Sequence, residues 1–159
     1  MAQKLQALRA LSVIPSDKTN VPFPSVIRTA YNTGLDTNAL IDSAATFITS
    51  GVQAGDIVYN TTGLKAATVV SVTSQTRLEL NDNIFLGVSD DYVLYTGNTN
   101  TGSQTPCVFF VGTAGDVNVV TEGGDTVLFK NLQNGQFIPV SVTRILETDT
   151  SAQDILALW

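Results

Sequence analysis

The chain contains no histidine. That removes the commonest general base, the Ser-His and Cys-His nucleophile pairs, and the commonest transition-metal ligand. Cysteine is almost as scarce: Cys107 stands alone, so no internal disulfide can form, which suits assembly in a reducing cytosol. Beside Val108-Phe109-Phe110-Val111 it reads as a small core residue, not a reactive thiol. Charged residues make up only 14% of 159 positions, where about a quarter is usual. Thr, Ser, Asn and Gln supply the polarity instead, a composition suited to β-structure and turns. A surface so poor in charge also suits burial against other subunits. The net charge is −6 and the few basic residues are scattered, so no row of phosphates could be neutralised and no nucleic-acid partner is expected. No apolar run reaches the roughly 18 residues of a membrane span. The segment from Met1 to Leu11 lacks the continuous apolar core of a signal peptide.

What is present reads as strands and turns. Gly123-Gly124-Asp125 and Asn134-Gly135 are turn chemistry, and between and after them lie strands over 126–131 and 136–145. In the second, Ile138, Val140 and Val142 share one parity and Pro139, Ser141 and Thr143 the other, which gives one apolar face. Pro139 cannot donate to a ladder, so that strand is expected at an edge or bulged there. Further upstream, Ala67–Thr73, Arg77–Leu80, Ile84–Leu86 and Tyr92–Tyr95 are short apolar stretches separated by turn formers, the signature of a small barrel or sandwich. Gly55-Asp56-Ile57-Val58-Tyr59 resembles the start of the first long strand in small SH3-like barrels.

The beginning of the chain differs. Leu5, Leu8 and Leu11 recur at a spacing of three and could line a short helix, although a helix of that length is marginal alone. Pro15, Pro22 and Pro24 then hold the backbone extended. The expected organisation is all-β: an extended N-terminal arm over 1–36, an SH3-like barrel-type module over 37–96, a linker over 97–106, and a β-sandwich-like module over 107–159. The linker assignment rests on Thr96 to Pro106, which is rich in turn formers and has nothing to anchor a core.

No chemistry emerges from the motifs. The carboxylates Asp82, Asp90, Asp91, Asp116, Glu122, Asp125, Glu147 and Asp149 are single or adjacent in turns, where Asp caps local N–H groups. Asp82-Asn83 and Asp90-Asp91 lack the loop spacing and terminal Glu of a calcium site. Gly112-Thr113-Ala114-Gly115 lacks the Lys-Ser/Thr ending of a phosphate loop. Tyr31, Tyr59, Tyr92, Tyr95 and Trp159 read as cross-strand packing more than as a sugar platform. No catalytic residue, metal or cofactor is expected.

Two patterns carry a resemblance. Gly115-Asp116-Val117, Gly124-Asp125-Thr126-Val127, Ile138-Pro139-Val140 and the terminal Ala157-Leu158-Trp159 resemble a module of tailed-bacteriophage virion proteins, including the base protein of head spikes on gene-transfer-agent particles. Val13-Ile14-Pro15-Ser16-Asp17, Leu40-Ile41-Asp42-Ser43 and Gly55 to Thr61 are similar to small virion structural proteins of cyanophages and marine phages. The resemblance implies a non-enzymatic virion component assembled in a bacterial cytoplasm. The expected role is a capsid decoration (cement) protein that binds the major capsid protein on the outer head as a symmetric trimer or pentamer. A head-spike or fibre base at the vertices and a tail-associated carbohydrate-binding module are the alternatives. Leu5, Leu8, Leu11, Val13, Ile14, Pro15, Val21 and Phe23 of the arm, with Trp159, are the candidate interface residues: an apolar extended arm either lies across its own domain or reaches onto a neighbour, and Trp159 either closes the last strand or anchors an interface.

Overall fold

A computed structural model describes residues 7–97 and 106–159. Among them there is no helix, and the strands form two antiparallel six-stranded sheets. The first sheet contains β2 (Val26–Tyr31), β3 (Ala39–Ile41), β4 (Ile57–Asn60), β5 (Lys65–Ser74), β6 (Arg77–Leu80) and β7 (Asp91–Tyr95), in the order β2-β7-β4-β5-β6-β3. Its two edges meet: just past β2, Gly34 bridges Ile41 of β3, and the Thr33 N–H donates to the Ile41 carbonyl. This closes a small barrel around Phe47, Leu40, Val58, Leu78, Tyr92 and Leu94. Ile84 to Leu86 is not a strand. Ile84 and Phe85 are instead buried in the barrel interior and Leu86 points outward.

The second sheet contains β1 (Ala10–Ser12), β8 (Cys107–Thr113), β9 (Gly115–Thr121), β10 (Thr126–Leu132), β11 (Gln136–Ile145) and β12 (Gln153–Leu158), in the order β1-β12-β8-β11-β9-β10. β11 pairs with β8 through Gln136–Ile138 and with β9 through Val142–Ile145. The register slips between Ile138 and Val142, where Pro139 sits. A strand flanked on both sides therefore accommodates its proline by a bulge, not by lying at an edge. The sheet folds over so that Phe129 of β10 meets Phe109 of β8 edge-to-face at 6.0 Å. Ile138 and Val142 are buried on the parity expected, with Val140 packed against the same core. Gly135 takes φ of +76° in the β10–β11 turn, where a side chain would be strained.

The arm departs from expectation in two ways. Ala10–Ser12 is a strand paired with Leu156–Leu158, and the N–H groups of Leu8 and Arg9 reach the Trp159 carbonyl, so the leucine spacing does not make a helix over 8–11. Inter-strand bonds to a ready sheet edge outcompete a helix too short to nucleate. Leu5 lies outside the described residues. Val26–Tyr31, counted in the arm from sequence, is barrel strand β2, paired with β7, so the arm ends near residue 25. Of the expected linker, residues 98–105 lie outside the described residues. Gly97 belongs to the barrel: its N–H donates to Asp56 Oδ1 at 2.6 Å, and an added Cβ would fall 1.8 Å from the Gly55 carbonyl oxygen.

Between the two sheets runs the arm. Val13 enters the C-terminal core, while Leu11 and Ile14 pack on Ile57, Tyr59, Ala66 and Tyr95 of the barrel. Ser16 and Val21 donate backbone bonds to the Ile145 and Thr143 carbonyls of β11, Thr148 bonds Asp17 through its N–H and hydroxyl, and Lys18 pairs with Asp82 of the barrel. Glu147 and Lys65 add an exposed ion pair between the modules.

Candidate interaction surface

The arm's apolar residues from Leu11 to Phe23 are spent inside the molecule. Phe23 meets Trp159 edge-to-face at 5.6 Å, the Arg9 guanidinium lies 5.2 Å from the Phe23 ring centre, and Val21 and Trp159 pack against the C-terminal core. Pro15 lines a cleft of about 210 Å³ with Asp17, Lys65, Asp82 and Glu147. A second inter-module cleft of about 170 Å³ lies beside Val21, Cys107, Arg144 and Trp159. Among the described arm residues expected at an interface, Leu8 alone has an exposed side chain, at 87%.

Exposed apolar side chains gather elsewhere, at one end of the barrel. Two fully buried asparagines build that end. The Asn32 side chain donates to the Gly34 and Gly87 carbonyls and accepts from the Asp90 N–H. Asn60 donates to the Ile84 carbonyl and to Asp90, and accepts from the Gly63 N–H. Three loops, 31–36, 61–64 and 84–90, are thereby fastened together with their backbone groups satisfied. They display Tyr31, Leu35, Leu64, Leu86 and Val88, with Leu86 81% and Leu64 68% exposed. Leu64 holds a left-handed φ of +51°, a conformation normally left to Gly or Asn and costing on the order of 1 kcal/mol or more. In the sequence the signal is an apolar residue isolated among turn formers: Gly34-Leu35-Asp36, Gly63-Leu64-Lys65 and Leu86-Gly87-Val88-Ser89.

A charged network lies under the barrel wall. Asp42 is buried and accepts from the Tyr92 hydroxyl at 2.7 Å and from Arg28 Nε at 2.9 Å, while its other oxygen caps the Ala44 N–H. Burial and the bond to Asp42 push the Tyr92 hydroxyl well above the ordinary tyrosine range. For Arg28, burial works against the charge, but the bonds to Asp42 and Tyr92 outweigh it and raise its pKa. Burial also raises Asp56, against the opposing pull of the Gln53 and Gly97 N–H groups. The Cys107 thiol, buried and directed at the Val142 carbonyl, is pushed up to about 12, so it is not a thiolate nucleophile at neutral pH. The Tyr59 hydroxyl is fully buried at the arm, and the Ile14 backbone lies near it without completing a hydrogen bond. Among the described residues, no three His, Cys, Asp or Glu side chains come together as metal ligands, and no helix is long and apolar enough to cross a membrane.

Neither a protein-family model, nor a curated protein, nor a solved structure matches the chain.

Proposed function

We propose that the protein is a virion structural component, a capsid decoration protein that binds the major capsid protein on the outer head through the loop end of its barrel. The observation that carries this reading is the apolar set Tyr31, Leu35, Leu64, Leu86 and Val88 held on loops pinned by Asn32 and Asn60. A pre-organised apolar patch loses little entropy on docking, and clusters of that kind carry most of the energy of an interface. The resemblance of the sequence to phage virion proteins supplies the partner, and the charge-poor surface suits a close-packed lattice. The carbohydrate-binding alternative needs aromatics clustered in the open. Tyr59, Tyr92 and Tyr95 are buried, Trp159 is half-buried against Phe23 and the C-terminal core, and the exposed aromatics Tyr31 and Phe137 lie on different modules.

The test is cryo-electron microscopy of particles made with the protein present and deleted, together with the Leu86→Asp/Val88→Asp variant. Density lost over the whole head on deletion, and equally in the variant while its melting temperature is unchanged, is the expected result. Loss confined to vertices points to a spike base, and loss from the tail to host recognition. A variant that decorates the head normally removes the barrel end as the docking surface.

A further inference from the structure

The two edges of the second sheet are treated differently. At one edge, β1 is sandwiched between β12 and the barrel, with Leu11 packed onto the Tyr59–Tyr95 cluster. At the other, β10 has β9 as its single strand partner. Among the described residues, Thr126 to Lys130 make no backbone hydrogen bond apart from that ladder. Proteins ordinarily blunt such an edge with proline, a charged side chain such as lysine, an inward charge, a bulge or a short strand, and here Lys130 and the irregularity beyond it leave Thr126–Phe129 open. β10 runs for seven residues, TVLFKNL, has no proline and carries one charge; its irregularity comes only at its far end, where Asn131 has φ of +56°. Val127 is exposed, and Leu128 and Phe129 are half-buried.

We infer that β10 pairs antiparallel with β10 of a second copy across a twofold axis centred on Leu128. This inference is independent of the particle reading. Charge selects the occupant. With a net charge of −6, two copies repel wherever carboxylates dominate, yet β10 holds no acidic residue and, among the described residues, its Lys130 makes no ion pair. Centring on Leu128 sets Thr126 opposite Lys130 of the second copy and Val127 opposite its Phe129. The ammonium then lies beside the start of β10, next to the acidic turn that carries Glu122 and Asp125. A twofold axis repeats that complementarity, satisfies both open edges at once and leaves neither free to propagate.

Analytical ultracentrifugation of the full chain should show a dimer, and the exposed Thr126 gives the discriminating variants. Thr126→Lys puts two like charges opposite each other twice and should raise the dimer Kd about fivefold or more, while Thr126→Glu should lower it by a similar factor. Leu128→Cys should cross-link to a covalent dimer under mild oxidation, without interference from buried Cys107. A monomeric wild-type chain at about 100 μM, where a dissociation constant in the micromolar range would already give mostly dimer, overturns the inference. So does an oligomer indifferent to both Thr126 substitutions, or a Leu128→Cys chain that stays uncross-linked.

Discussion

In the barrel, four polar side chains are buried, Asn32, Asp42, Asp56 and Asn60, and each bonds across from one loop or strand to another. In residues 107–159, Asn118 is the one buried polar side chain described, and the interior is Phe109, Val111, Val117, Val119, Val142, Ile145 and Ile155. The side-chain hydrogen bonds of the second module lie nearer its surface, as between Thr113 and Asp154 or the Asp116 N–H and Ser151, and the arm adds more where it lies along β12 and β11. The contrast is instructive because burial of apolar area is non-directional, whereas a buried polar group is costly unless its partner is at one particular place. Apolar packing suffices for a module whose shape is set by long strands. The barrel has short strands and long connections, and its loops need position as well as burial. That precision is what the displayed apolar set on loops 31–36, 61–64 and 84–90 draws on.

The largest effect should come from breaking the charged network. Arg28→Ala leaves the Asp42 carboxylate buried without its counter-charge, and such losses cost about 3–5 kcal/mol. Urea unfolding should show it, and Arg28→Met with Asp42→Asn should recover much of the loss by removing both charges. A single Arg28→Ala as mild as a surface substitution would mean that the barrel, like its neighbour, rests on packing alone.

The second module should respond in a graded way. Ile155 is buried in the apolar core, and Ile155→Val removes one methylene with no partner left stranded, for about 1 kcal/mol. A cost near that of Arg28→Ala would erase the distinction between the modules.

The strand content of both modules is legible in the sequence because period-two alternation and turn residues act locally. Gly124 and Gly135 do have positive φ, and the strands expected at 77–80, 92–95, 126–131 and 136–145 appear within one or two residues. The arm's destination is not legible. Val13, Ile14 and Phe23 are as apolar as any interface residue, and only the sheet edges and the Tyr59–Tyr95 surface decide that they are used internally. The barrel's loop end is hidden for the converse reason. Asn32 and Asn60 look like ordinary turn formers until Gly87 and Ile84, far along the chain, are brought beside them.

The arm itself belongs to neither pattern, and its clasp is the smallest effect to be tested. Asp17 is exposed but accepts from both the hydroxyl and the N–H of Thr148 at 2.7 and 2.9 Å. Those bonds, the hydroxyl first, hold its carboxyl below the ordinary aspartate value of 3.8. A depressed folded-state pKa means that the clasp's contribution is complete above 3.8 and is lost as pH falls through the lower folded value. Because the group faces solvent, the contribution should stay below about 1 kcal/mol. Asp56 in the barrel has the opposite sign, since burial raises it: the folded state takes up its proton first, so acidification from neutrality relieves a buried charge before the clasp opens. Melting curves of wild type and Asp17→Asn should therefore differ slightly at neutral pH and converge once the pH has fallen below the lowered folded-state value, with the Asp56 contribution common to both and cancelling in the difference. A gap that persists in acid would show that the amide substitution perturbs the arm by shape and not by charge. A gap absent at every pH would show that the backbone bonds of Ser16 and Val21 to β11 fix the arm alone.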